Sequence, residues 1–142
     1  MTPLDLRKAP PRSPREELRG LCMLPRLIDI ACAMLPGGSV GEYQIGRGMS
    51  GAVFTAFGIS ASEFIALVHD ASSDEEVASA LWSRRSVLAA ALSRRLQSFT
   101  VADVPDDLRR DFQRFYGSHH SPARRVFDIL EADDAQAFTQ LA

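Results

Sequence analysis

At 142 residues the chain has the size of one domain and enough length to bury one sizeable core. Its 46% hydrophobic and 24% charged residues are ordinary for a soluble globular protein. A formal net charge of −2 excludes the global positive field that would favour nucleic acid or an anionic membrane.

Residues 1–14 carry Pro3, Pro10, Pro11 and Pro14, which exclude regular helix and favour extended backbone. This Pro/Arg-rich arm is expected to lie as a strap on the body, anchored by Leu4 and Leu6. Ser13-Pro14-Arg15-Glu16 has the form of a helix start, with a serine cap, proline in the first turn and Glu three residues after the serine. Pro25 should end that helix and open the next, whose Leu24, Leu27, Ile28, Ala31, Met34 and Leu35 follow helical spacing until Pro36-Gly37-Gly38. Cys22 and Cys32 lie in these apolar faces without zinc-ligand spacing. They read as buried, reduced thiols and fit a cytoplasmic location.

Residues 36–48 hold five Gly and form a loop containing Gly41-Glu42-Tyr43. A short helix follows with Met49, Val53 and Phe57 on one face, ending at Gly58. Two capping boxes, Ser60 to Glu63 and Ser73 to Glu76, start the next pair of helices. The first turns Ala61, Phe64, Ile65 and Val68 inward, the second Val77, Ala78, Leu81 and Trp82. A break is expected near Ser83, then helix from Val87 to Phe99 with Leu88, Leu92 and Phe99 inward. Val104-Pro105 opens a helix with Leu108, Phe112 and Phe115 inward and Gly117 at its end. Ser121-Pro122 opens another, packing Val126, Phe127 and Leu130, and Asp133 is expected to cap the final turns with Phe138 and Leu141. No alternating strand stands out. The fold reading is all-α, a single domain over 1–142 with seven to nine short helices and an extended N-terminal arm. No apolar run of 18 residues suggests a membrane span, and Asp5, Pro10 and Pro11 stand where a signal peptide needs its apolar region.

The combination of Pro10-Pro11-Arg12-Ser13-Pro14-Arg15, Leu24-Pro25-Arg26, Asp29 and Gly41-Glu42-Tyr43 resembles family 5069 of the domains of unknown function. Gly58-Ile59-Ser60, Glu63-Phe64 and Asp74-Glu75-Glu76 extend the resemblance over roughly residues 4–82. It implies a small bacterial protein and no particular chemistry. The family pattern places a lysine directly after Asp29 and an arginine two positions beyond it, where this chain has Ile30 and Cys32.

Fifteen of the sixteen Lys and Arg residues are Arg. A GC-rich coding bias or a use for bidentate guanidinium groups at anion sites accounts for that. Arg12, Arg15 and Arg26 with Asp29, Glu42 and Tyr43, joined by Arg7, form the candidate ligand site, suited to a small anionic or carboxylate ligand. The competing structural reading has these arginines paired with Asp29 and Glu42, tying arm and loop to the body, and Arg26 with Asp29 three residues on. His119-His120, with His69 and Asp70 as distant partners, falls short of a zinc ligand set, so no metal or cofactor is expected. Arg84-Arg85 and Arg94-Arg95 form a basic segment on one helix face, but the acidic run before it and the lack of interleaved aromatics make nucleic acid an unfavoured partner. The leading functional reading is a ligand-binding or protein-interaction module without catalysis. One alternative is an enzyme with Glu42 or Asp29 as general base beside Tyr43 and Arg26. Another is a homo-oligomeric structural protein joined through Phe127, Leu130, Phe138 and Leu141.

Overall fold

The computed structural model describes residues 1–139, and within them the chain is mostly helical. A two-residue hairpin, β1 (Glu17–Leu18) and β2 (Leu21–Cys22), precedes α1 (Leu24–Ala33). The remaining helices are α2 (Met49–Phe57), α3 (Ala61–Asp70), α4 (Asp74–Arg84), α5 (Ala89–Ser98), α6 (Asp106–Tyr116) and α7 (Val126–Thr139). A 3-10 turn spans Val101–Asp103. No single helix among the described residues is long and apolar enough to cross a membrane.

α1 is the central element. Every residue in it except Asp29 is buried, as befits a helix packed on all sides. Pro25 sits in its first turn, where its missing N–H costs nothing. Around it pack Val53 and Phe57 of α2, Phe64 and Val68 of α3, Val77 and Leu81 of α4, Leu92 and Leu96 of α5, and Phe127 and Leu130 of α7. The Ser60 cap closes as a full capping box with Glu63. The second box is only half formed: Ser73 Oγ accepts from Glu76 N–H, but the Glu76 carboxylate takes the N–H of Ser72.

The N-terminal arm runs extended over the body. Asp5 pairs with Ser39 as a parallel bridge, Leu6 N–H donates to Ser39 O (2.8 Å) and Ser39 N–H to Leu4 O (2.9 Å). Leu6 is buried against Ile30 and Ala33, whereas Leu4 stays exposed. Gly38 permits this approach, because a Cβ there would stand 2.5 Å from Ala33 O and 2.9 Å from Leu4 O.

Several local expectations are corrected. Ser13-Pro14-Arg15-Glu16 starts no helix; Glu16 N–H closes a turn onto Ser13 O, and the chain enters the hairpin. Arg19 and Gly20, at φ 52° and 76°, make the two-residue turn with both residues left-handed that suits a twisted hairpin. Ser121-Pro122 forms a turn, and α7 begins only at Val126, after Arg125 has paired with Thr100. Asp133 caps nothing, since α7 runs through it unbroken. Leu88 falls in the break before α5 and is 81% exposed, so Ser93 and Leu96 take the inward places beside Leu92. That same break puts Arg84 and Arg95 on different helices. Phe127 and Leu130 spend their apolar surface inside the core rather than on an interface, and Leu141 lies outside the described residues.

Candidate functional site

Helix α6 is strongly amphipathic in sequence, yet none of its residues is fully buried. Its Leu108, Phe112 and Tyr116 pack against the core only in part and line a cavity of about 570 Å³. Ile30 of α1, Val126, Leu130 and Phe138 of α7, Met49 of α2 and Leu6 of the arm complete the walls with Leu108, Phe112, Phe115 and Tyr116 of α6. Val126, Leu130, Asp133 and Ala137 recur at helical spacing along the cavity side of α7, which places a carboxylate in that apolar stripe. The Arg47–Asp111 ion pair ties the glycine-rich loop to α6.

A polar clasp lies beside the wall. Arg26, 3% exposed, holds the buried Asp134 through both terminal nitrogens, Nη1 to Oδ2 at 2.7 Å and Nη2 to Oδ1 at 3.2 Å. Tyr43 donates its hydroxyl to Asp134 Oδ1 at 2.8 Å and offers its ring face to the guanidinium, 5.4 Å from the centroid. Arg26 Nη1 also reaches Arg12 O at 3.3 Å, joining the arm to the clasp. Burial and the bond to Asp134 push the Tyr43 hydroxyl well above its ordinary value, so it stays a donor. Burial likewise raises Tyr116. Asp133 is raised by desolvation first and then by the neighbouring Asp134 charge, against the opposing pull of Arg26.

The six residues singled out from sequence thus separate. Arg26, Glu42 and Tyr43 line the cavity, with Glu42 exposed at its mouth. Arg12 and Asp29 form a different clasp: Arg12 N–H, Nε and Nη2 all reach the Asp29 carboxylate, and Nη1 takes Asp74 of α4 at 2.7 Å. Arg26 and Asp29 therefore do not pair, since their side chains leave α1 toward different neighbours. Arg15 reaches Asp128 and Glu131 of α7 and covers the Phe127 ring, away from the cavity. The arginine pairings tie arm to body through Asp29, as the structural reading has it, and through Asp134 and Asp74, which it lacked, while Glu42 pairs with no arginine among the described residues.

Asp134 escaped sequence reasoning because its partner stands 108 positions earlier. One signal was present. Phe127, Leu130, Asp134 and Phe138 follow the inward spacing of a helix, so an acid occupied a core position. Cys22 and Cys32 are buried, lie outside the cavity lining and have thiols raised by burial. Ser50, which does line it, spends its hydroxyl on Gly46 N–H and Arg47 O. His120 bonds Tyr116 O and Arg124, and His69 pairs with Asp70 on the exposed end of α3. The lining thus offers apolar contact, aromatic faces and both carboxylates and guanidinium groups, with no nucleophile beside a base among the described residues.

The family model for a domain of unknown function (DUF5069) matches residues 8–136. The chain belongs to the DUF5069 family. The DUF5069 match passes well beyond the N-terminal motifs that carry the sequence resemblance, and takes in α6, Asp133 and both members of the Arg26–Asp134 pair. Arm residues Leu6 and Arg7, and Ala137 and Phe138 of α7, line the cavity from outside the matched span. No curated protein matches this DUF5069 chain.

Proposed function

We propose that the protein is a cytoplasmic binding module whose cavity takes a small, largely apolar molecule without transforming it. The observation that carries this reading is the half-enclosed cavity of about 570 Å³ beneath α6. Its volume lies in the usual range for small-molecule sites, roughly 300–1,000 Å³, and its apolar and aromatic walls, with most of its charges ion-paired, suit such a ligand. The Arg26 charge is already matched by Asp134, which removes the attraction for an anionic ligand suggested by the arginine cluster. Two buried thiols favour a reducing compartment. The enzyme reading has less support, because Asp29 is engaged by Arg12 outside the cavity and Glu42 is exposed.

Tyr43 and Tyr116 are the chain's two tyrosines, and both line the cavity. Protein labelled with 3-fluorotyrosine therefore reports on it through two ¹⁹F resonances. Titration with the neutral fluorophore N-phenyl-1-naphthylamine should give saturable binding that shifts both, and Leu108→Trp, which fills the space, should abolish the binding while the fold persists by circular dichroism. Saturating probe that moves neither resonance would sink the proposal.

A further inference from the structure

The cavity's charged groups are unequally matched. Three cations line it, and each has a carboxylate of its own: Arg7 with Asp5, Arg26 with Asp134 and Arg47 with Asp111. Asp133 and Glu42 also line it, and neither has an ion-pair partner among the described residues. Glu42 also opens onto a second hollow, whose lining it shares with Arg114. Asp133 is the one nearer the rings of α6, close enough for its charge to act on Tyr116, and lies on the same face of α7 as Val126 and Leu130. Opposite it, α6 contributes Phe112 and Tyr116 as a tilted ring pair 5.1 Å apart, with Phe115 beside them.

A hollow with aromatic faces and carboxylates in excess of its cations is complementary to an organic cation. The ring faces attract an ammonium group, and the Asp133 carboxylate, itself exposed at the cavity wall, supplies the opposite charge. We infer that the ligand is an organic ammonium ion with an aromatic or branched hydrocarbon body, its charge seated against Asp133 and its body among the rings of α6. The inference rests on the cavity being a binding site and specifies what that site prefers. Arg26 from α1, Asp134 from α7, Glu42 and Tyr43 from the glycine-rich loop and Tyr116 from α6 are the charged and titratable groups around Asp133. The carboxylate attracts a cation only once ionised, so ammonium affinity rises with pH through its titration.

Three probes of one shape separate the outcomes: 2-phenylethylammonium, neutral 2-phenylethanol and anionic 3-phenylpropanoate, each titrated into fluorotyrosine-labelled protein at pH 7. The ammonium should bind about tenfold tighter than the alcohol, in line with an ion pair and a cation–π contact acting together, and the carboxylate should bind most weakly. Asp133→Asn should bring the ammonium down to the affinity of the alcohol and leave the alcohol unchanged. Alcohol or carboxylate binding as tightly as the ammonium overturns this inference and leaves the cavity reading standing, as does an ammonium preference that survives Asp133→Asn. Failure of all three probes to move either resonance overturns both.

Discussion

Asp134 accepts from Arg26 twice and from Tyr43 once, so it joins α1, the glycine-rich loop and α7 at a buried point. Removing one member of such a pair strands the other charge in the interior. Asp134→Ala should therefore destabilise the fold by about 3–5 kcal/mol in urea unfolding, whereas the double change Arg26→Met with Asp134→Leu should recover most of the loss. Asp133, one residue earlier, behaves oppositely. Desolvation holds its carboxyl above the ordinary value, so the folded chain keeps a proton at pH values where the unfolded chain has released it. Stability then falls as pH rises through that window, and the deficit persists at neutral pH. Asp133→Asn should melt at a higher temperature than the parent at pH 7, with the two converging in strong acid where both states are protonated. A residue that weakens the fold and strengthens a site is the usual mark of a stability–activity trade-off.

At the scale of elements, Ser93 fixes the hairpin to α5. Its buried hydroxyl accepts the N–H of Cys22 at 2.9 Å and donates to Gly20 O at 2.8 Å. Ser93→Ala would leave a buried backbone donor without a partner, and a loss of about 1–3 kcal/mol is expected from thermal or urea unfolding. This hairpin also shows where sequence reading stops. Ser60 to Glu63 was legible as a helix start because both halves of the box lie within four residues. Ser13 to Glu16 carries the same local letters and starts no helix, because the Arg19-Gly20 turn and the packing of Cys22 on α5 decide the matter. Leu108 and Phe112 were legible as one face of α6, but not that the face also walls a cavity. Periodicity records which side is apolar and is silent about what stands opposite.

Over the whole molecule, the all-helical class and the places of α1 to α5 followed from spacing and punctuation, since helices are built from neighbours in the chain. The candidate site was only half legible. Arg26 and Tyr43 were found, while Asp134 and Asp74 were missed because their partners lie 108 and 62 positions away. Global opening has a convenient reporter in the two thiols. Cys22 and Cys32 are buried and their ionisation is suppressed by burial. An aromatic disulfide reagent should modify neither at an appreciable rate in the folded protein and both promptly in denaturant, with the labelling midpoint coinciding with the unfolding midpoint.

The distance between Arg26 and Asp134 along the chain has a consequence during synthesis. Translation proceeds at about 5–20 residues per second, so on the order of 10 s separates the guanidinium from the carboxylate that will neutralise it. Throughout that interval the helix destined for the centre carries a cation with nowhere dry to go. The nascent chain is thus kept from settling α1 into a finished interior until α7 arrives, and closure of the clasp marks its docking.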